Sequence, residues 1–525
     1  MGQYIDRGNM GFREARKGEY VDKSGLIGII NGTLGTEFKF SCVSRARRFG
    51  KSMAAKMLQA YYDRSCDSHD LFHDLDIAHH PTYEEHLNKY PVIYVDMTDF
   101  TTRDVPRTEL ASLMQRKVMK DICETFPDVA VQNDDDLMDV LCKVVQHTGQ
   151  KFIMIIDEWD AICREAADTP EPMDKYVNLL RRLFKGGSSI VFAGVYMTGI
   201  LPIKKYQTQS ALNNFTEYSM VKPGRLARYY GFIKEEVQAL AAKHGMDFDE
   251  LEKWYDGYQI GAQPSMFNPN SVMQAIIHDS CESYWSTTGA YDAVATYIDT
   301  NYEGLKDDIV DMLAGGRCNV DPTKFRNDMS QVKSRDDVLT LLIHLGYLSY
   351  DRETRQCYLP NREVAGEMKN AVEENNWKPV IDAIEASDRL LQQLLRGNAG
   401  AVAEGVERVH RQEVSLFKYN DENSMACVIS LAFYAARNDF HVHREYQTGD
   451  GYADLVLIPR KNIQKPAMVI ELKYDHTAGT AIAQIKQKHY PDKLLDYTGH
   501  ILLAGISYDR DKKKHTCQIE HFVKD

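Results

Sequence analysis

Four short runs of continuous apolar residues punctuate the first two hundred positions: Phe38–Val43, Val92–Asp96, Phe152–Asp157 and Ile190–Tyr196. Segments of helical period, such as Ser52–Tyr62 and Met173–Phe184, lie between them. A strand that is apolar on both faces must be covered on both faces, and intervening helices supply that cover, so this pattern predicts an α/β unit with a parallel sheet. From Gly231 to Glu367 the period is mainly helical, as in EEVQALAAKHG and DDVLTLLIHLGYL, which reads as a lid or connector. A polar stretch near Asn361–Asn376, carrying EENNW, marks a boundary. Beyond it, a helix at Asp421–Arg437, strands at Val442–Tyr446, Ala453–Ile458 and Met468–Leu472, a helix at Thr480–Lys488 and a strand at His500–Ile506 form a second α/β module. A chain of 525 residues is too long for one core. The expected division is 1–230, 231–385 and 386–525.

Composition narrows the classes. A hydrophobic share of 43% and a charged share of 26% are those of a globular protein. The net charge of −13 argues against a chain coated in basic residues for nucleic acid, though it leaves room for a local basic groove. Ten cysteines are scattered from Cys42 to Cys517 with no CxxC pair, so reduced thiols are expected rather than a zinc or disulfide framework. The N-terminus lacks an apolar signal core, and no apolar run is long enough to span a bilayer. A cytoplasmic protein with no membrane partner is expected.

Strand Phe38–Val43 runs into SRARRFGKSMAAKML. A strand, a tight loop and then Gly50, Lys51 and Ser52 opening a helix is the setting of a phosphate-binding loop. Backbone N–H groups hold phosphate oxygens, Lys51 reaches the β- and γ-phosphates of ATP, and Ser52 ligates magnesium. The general pattern wants glycine at position 45, where this chain has Arg45. Arg48, inside the loop, reads either as added charge on the triphosphate or as a surface cation. KFIMIIDEWD is an apolar strand ending in Asp157 and Glu158. Asp157 would hold the magnesium ion and Glu158 would polarise the attacking water. Thr198, at the end of the fourth run, reads as a γ-phosphate sensor or a plain strand-end residue.

GYADLVLIP followed by AMVIELKYD holds the second constellation. Glu471 and Lys473 flank Leu472, so both polar side chains share one strand face, and Asp454 stands on the preceding strand. Two carboxylates from adjacent strands suit a hard cation, Mg2+ or Mn2+, with the Leu472 carbonyl as a further ligand. Lys473 can orient water or stabilise the developing negative charge.

These segments together resemble a bacterial AAA-ATPase-like family that carries a C-terminal PD-(D/E)XK nuclease domain. The resemblance rests on YVDKSGLI from Tyr20, RARRFGKS from Arg45, IIDEWDA from Ile155, TGILPI from Thr198, ALNNF from Ala211 and YYGFIKEEV from Tyr229. It continues through WYDGY from Trp254, FNPNSV from Phe267, Tyr284-Trp285 and LPNREV from Leu359. Arg45 follows that family, whereas Ala46 stands where the family commonly has proline. The resemblance implies a P-loop NTPase sheet with a helical lid, then a PD-(D/E)XK nuclease-like α/β domain with Asp454, Glu471 and Lys473 in its core motif. It also places Gln484 and Tyr490 on a helix beside the nuclease site, and it calls for an additional acid, for which Glu422 is the candidate and Glu445 the rival. The expected function is an ATP-regulated, metal-dependent nuclease acting on DNA, in a setting such as defence against mobile DNA. The alternative is a nucleotide-switched scaffold that cuts nothing. Oligomeric state is left open, a homo-oligomer included.

Overall fold

The computed structural model describes residues 2–102, 104–165, 170–186, 188–203, 205–206, 209–210, 212–285, 304–313, 315–325, 332, 334–373, 378–413, 429, 432–447, 452–459, 465–491, 494 and 499–524. They fall into two compact units, one of Met1–Leu305 with Asn319–Glu367, the other of Lys306–Cys318 with Met368–Asp525. The second division falls inside the helix Arg362–Glu373. Among the described residues no helix is long and apolar enough to cross a membrane.

The first unit is built on five parallel strands, β1 (Phe40–Ser44), β2 (Val92–Asp96), β3 (Phe152–Asp157), β4 (Phe192–Gly199) and β5 (Thr216–Tyr218), in the spatial order β2-β3-β4-β1-β5. The continuous apolar runs are explained by cover on both faces. Met154 and Ile156 join one hydrophobic core while Ile153 and Ile155 join the other. Two strands begin later than the apolar runs suggest. Phe38 and Ile190 are 70% and 57% exposed, and Ser188–Val191 forms a helical turn before β4. Strand β4 runs on through Gly199, which puts Thr198 inside it.

The later part of this unit holds the helices expected of a lid, including Lys234–His244, Phe248–Tyr255 and Arg335–Leu345, and also an antiparallel pair of short strands, Ser349–Asp351 and Gln356–Tyr358. One helix of this part starts with a clear stop-and-go signal. Asn268 accepts bonds from the N–H groups of Asn270 and Ser271, and Pro269 takes the first helical position in Pro269–His278.

The second unit has a five-stranded mixed sheet, β6 (Phe440–Gln447), β7 (Tyr452–Pro459), β8 (Ala467–Tyr474), β9 (Gly499–Asp509) and β10 (Lys514–Lys524), in sequential order. Only β8 and β9 pair in parallel. Helix Ala478–Gln487 makes that crossover and packs Ile482 and Ile485 against one face of the sheet. Helices Lys378–Leu395 and Ala399–Glu413 cover the other face through Leu391, Leu394, Val402 and Val406. The expected helix Asp421–Arg437 lies mostly outside the described residues, its end forming a short 3-10 helix at Tyr434–Asn438. Strand β10 was not legible, because it is an edge strand whose exposed positions carry Lys, Thr, Gln and His, with Val523 alone apolar among them.

Candidate nucleotide and nuclease sites

Strand β1 is buried along its whole length and delivers the chain into the loop 45–50, after which helix α1 (Lys51–Tyr62) begins. The left-handed turns of this loop fall at Arg48 (φ 66°) and Gly50 (φ 86°), whereas Arg45 is not among the residues of positive φ. Glycine is therefore not required at position 45. Arg45 instead points back into the core, fully buried, and donates to the carbonyls of Ser44 and Tyr218 at 2.9 and 2.8 Å. Its guanidinium lies 5.3 Å from the Tyr230 ring centre, and burial lowers its pKa to about 10. Among the described residues no side chain caps α1, so the N–H groups of its first turn face the loop unclaimed by a cap. Ser52 lies half-buried in that turn.

Lys51 is buried, and its ammonium donates to the Ala46 carbonyl at 3.0 Å while standing 3.9 Å from Glu158 Oε1. Burial lowers its pKa, with Glu158 opposing. Asp157, 1% exposed at the end of β3, accepts hydrogen bonds from the hydroxyls of Thr198 and Tyr94, the latter at 3.2 Å. Thr198 is thus committed to Asp157 across two neighbouring strands. Glu158 adopts φ 50°, and its carboxylate meets Arg164 at 2.7 Å. The same guanidinium bonds Asp160 at 2.6 Å, and Asp160 in turn accepts the N–H groups of Ile200 and Leu201. A cavity of about 380 Å³ opens beside the loop, with Arg48, Gly50, Lys51 and Ser52 on its polar side and Tyr20, Val21, Met57, Phe232 and Met273 on its apolar side.

In the second unit, β7 and β8 pair in antiparallel register through Leu455↔Ile470, Val456↔Val469 and Leu457↔Met468. One further step along that register sets Asp454 across from Glu471. There Asp454 Oδ2 accepts the Leu472 N–H at 2.7 Å. Glu471 is 2% exposed, and Lys473 Nζ lies 3.5 Å from its Oε1. Gln484, from helix Ala478–Gln487, donates to the same oxygen. Burial, then the charge of Asp454, raise the Glu471 pKa to about 7, against the opposing pull of Lys473. Glu471 Oε2 is buried and has no hydrogen-bond partner among the described residues. A buried carboxylate oxygen is costly to leave unbonded, and a divalent cation would satisfy it. Tyr490 is buried in the core, its hydroxyl donating to the Tyr452 carbonyl at 2.9 Å, so it ties the end of the helical segment to the start of β7. Glu422 lies outside the described residues, as does the side chain of Glu445.

Residues 8–208 match the family AAA-ATPase-like, described as "Predicted AAA-ATPase", and residues 420–518 match the PD-(D/E)XK nuclease superfamily. The chain joins an AAA-ATPase-like domain to a PD-(D/E)XK nuclease domain. It is 22% identical to the "Uncharacterized protein in vnfD 5'region" of Azotobacter chroococcum mcd 1, over 96% of both chains. Slight likenesses exist to the Aeropyrum pernix ORC2 protein in its ADPNP–ADP complexes (TM-score 0.27, 11% identity, 69% of this chain and 93% of that one) and to Cdc6p from Pyrobaculum aerophilum (TM-score 0.24, 10% identity, 69% and 94%). At those scores they carry no argument. The two domain types imply use of a nucleotide and a divalent metal.

Within the ATPase-like unit, motifs far apart in sequence meet at the phosphate loop. Arg48 donates to the Tyr284 carbonyl at 2.8 Å, and the Tyr284 N–H donates to Glu363, which also receives the Ser271 hydroxyl. Gly346 (φ 91°) lies so close to Ala46 that a Cβ there would fall 2.6 Å from the alanine methyl. Sequence reasoning missed Arg164, Asp160 and Tyr94. The i, i+4 spacing of Asp160 and Arg164 was a usable signal. Tyr94 needed knowledge that β2 and β3 are neighbours.

Proposed function

We propose that this chain is an ATP-binding protein whose P-loop module governs a divalent-metal-dependent nuclease acting on DNA. The observation that carries the nuclease half is Glu471, a buried carboxylate with one oxygen unbonded among the described residues, beside Asp454 and Lys473. Asp454, Glu471 and the Leu472 carbonyl would hold Mg2+ or Mn2+, which when bound polarises the scissile phosphate and acidifies its water. Lys473 offsets charge on the phosphate oxygens, and Gln484 fixes the Glu471 carboxylate in rotation. In the first module, the N–H groups of Gly50, Lys51 and Ser52 and the Lys51 ammonium cradle the phosphates of ATP. Ser52 and Asp157 would hold its magnesium, with Thr198 orienting Asp157. Glu158 would orient the attacking water, and both it and Arg48 border the same cavity.

The experiment is incubation of the purified chain with plasmid DNA and Mg2+ or Mn2+, with and without ATP, beside the Asp454→Ala and Glu471→Ala variants. Metal-dependent cleavage lost in both variants is the expected result. Cleavage that persists in the double variant would refute the assignment. Absence of cleavage in the parent under all conditions would favour a nucleotide-switched scaffold.

A further inference from the structure

The second unit contains another cluster of metal-ligating side chains, away from Asp454 and Glu471. Helix α2 (Ala399–Glu413) carries Glu407 and His410 three positions apart, a spacing that sets both on one helix face. His515 on β10 meets them, and the ligand atoms of the three residues lie within 4.8 Å of one another. The His515 side chain is fully buried, and His410 as a whole is 6% exposed. The Glu407 carboxylate turns one oxygen inward, its Oε2 receiving His515 Nδ1 at 2.6 Å and the His515 backbone N–H at 3.1 Å, while its Oε1 takes Arg411 Nε at 3.1 Å on the outer side. The rings of His410 and His515 stand perpendicular, 5.2 Å apart, and both pack against Tyr508 at 5.0 and 4.8 Å.

This cluster lies on the opposite face of the sheet from the nuclease residues. Tyr508 pairs with His515 on one side and with Tyr474 on the other. Directly paired residues share a face, and alternation sends Lys473 and Glu471 to the opposite one. The proposed nuclease chemistry therefore has no use for two buried histidines here. Burial lowers the pKa of both rings, which keeps them neutral, the state in which imidazole binds a metal.

We propose that Glu407, His410 and His515 form a second cation site that takes a zinc-class transition ion, with water completing its shell, and pins helix α2 to edge strand β10. Two imidazoles and one carboxylate are the donors of zinc and its borderline neighbours. Mg2+ is excluded by its demand for oxygen ligands. On binding, His515 exchanges its bond to Glu407 for a shared ion, its ring proton moving to the other nitrogen. The restraint falls on the outermost strand of the sheet, which among the described residues has a neighbour on one side only.

The test uses the full-length chain and its Glu471→Gln variant, which disables the nuclease carboxylate, so the outcome is independent of cleavage. Each is loaded with Zn2+, desalted and assayed for bound zinc by mass spectrometry, and melted with Zn2+ or with Mg2+. The expected result is one zinc per chain lost on His410→Gln and on His515→Gln, and, in the Glu471→Gln background where the proposed nuclease metal site is disabled, a melting point raised by Zn2+ and not by Mg2+. Circular dichroism establishes that the glutamine variants are folded, and Co2+ absorption gives a readout on the parent chain itself. Equal zinc content in parents and histidine variants would overturn the proposal, as would a Co2+ spectrum dominated by thiolate charge transfer.

Discussion

Phe49 of the phosphate loop meets Tyr258 edge-on, with ring centres 5.0 Å apart and planes at 89°. Both are completely buried, and the Tyr258 hydroxyl donates to the Gly346 carbonyl at 2.7 Å. The loop is thus held from behind by a residue of the WYDGY segment, two hundred positions downstream.

The first prediction follows from that contact. Tyr258→Phe keeps the ring and removes one buried hydrogen bond, at a cost of about 1–3 kcal/mol. Tyr258→Ala also opens a cavity behind Phe49, and large-to-small changes of this kind cost about 3–5 kcal/mol. Urea denaturation should rank parent, Tyr258→Phe and Tyr258→Ala in falling stability, and calorimetry should show weakened ATP binding in Tyr258→Ala. Parental ATP affinity in a folded Tyr258→Ala variant would show that the loop does not need this support.

The second prediction concerns the charges around Lys51. Lys51→Ala should abolish triphosphate binding, since its ammonium reaches the loop carbonyl and Glu158 from a fully buried position. Glu158→Gln should bind ATP and hydrolyse it more slowly. Arg164→Ala removes the counter-charge of both Glu158 and Asp160, and breaking a buried pair costs about 3–5 kcal/mol. Arg164→Lys retains charge but not the fork that bridges two carboxylates, so it should fold and shift the hydrolysis rate more than the ATP affinity. An unchanged rate in Arg164→Lys would mean that the bridge does not set the Glu158 position.

The third prediction is a pH dependence. An acid whose pKa is raised on folding, here Glu471 from its ordinary 4.5 to about 7, holds its proton more tightly folded than unfolded. Its contribution to stability is complete below 4.5 and is lost as pH rises through 7. In metal-free protein at pH 8, Glu471→Gln should therefore stabilise the second unit, by about 1–3 kcal/mol. At pH 4 the difference should vanish. Because a metal needs the carboxylate, Mg2+ or Mn2+ affinity in the parent should fall below pH 7 with uptake of one proton. Gln484→Ala, which frees Glu471 Oε1 from its orienting bond, should cost about 10–100-fold in metal affinity or cleavage.

The sequence disclosed elements whose signal is local. The runs of β2 and β3 matched the observed strands end to end, because both are apolar at successive positions and bounded by turn residues. Asp454, Glu471 and Lys473 could be grouped because they sit on consecutive strands of one antiparallel pair. What stayed hidden depends on contacts between distant segments. Arg45 breaks the general phosphate-loop pattern while following the resembling family, and the physical reason, its guanidinium bonded to the Tyr218 carbonyl, lies 173 positions away. Thr198 reads in the sequence as a γ-phosphate sensor or a strand-end residue, and what the sequence does not show is that β4 runs one residue further and that the Thr198 hydroxyl turns to Asp157. The triad of Glu407, His410 and His515 spans more than a hundred positions, and β10, which supplies His515, has no apolar run to announce it.

The last prediction concerns the two modules together. A nuclease left unrestrained is harmful to its own cell, and the order of parts places a nucleotide site before it on the same chain. If nucleotide state governs nuclease access, ATP must bind the two states of the protein with different affinity. Linkage then makes the effect reciprocal, so DNA must change ATP affinity by the factor that ATP changes DNA affinity, typically about 1–3 kcal/mol of coupling. The measurement is an ATP titration into the full chain carrying Glu471→Ala, with and without DNA. Salt is held fixed, because phosphate contacts make nucleic-acid affinity steeply dependent on it. A shift of about 5–150-fold in ATP affinity, mirrored in the converse titration, is expected. Lys51→Ala should abolish the effect of ATP on DNA binding while leaving DNA binding itself intact. Identical ATP affinities with DNA demonstrably bound would leave two independent activities on one chain, and the regulatory half of the proposed function would fall while the nuclease half stood.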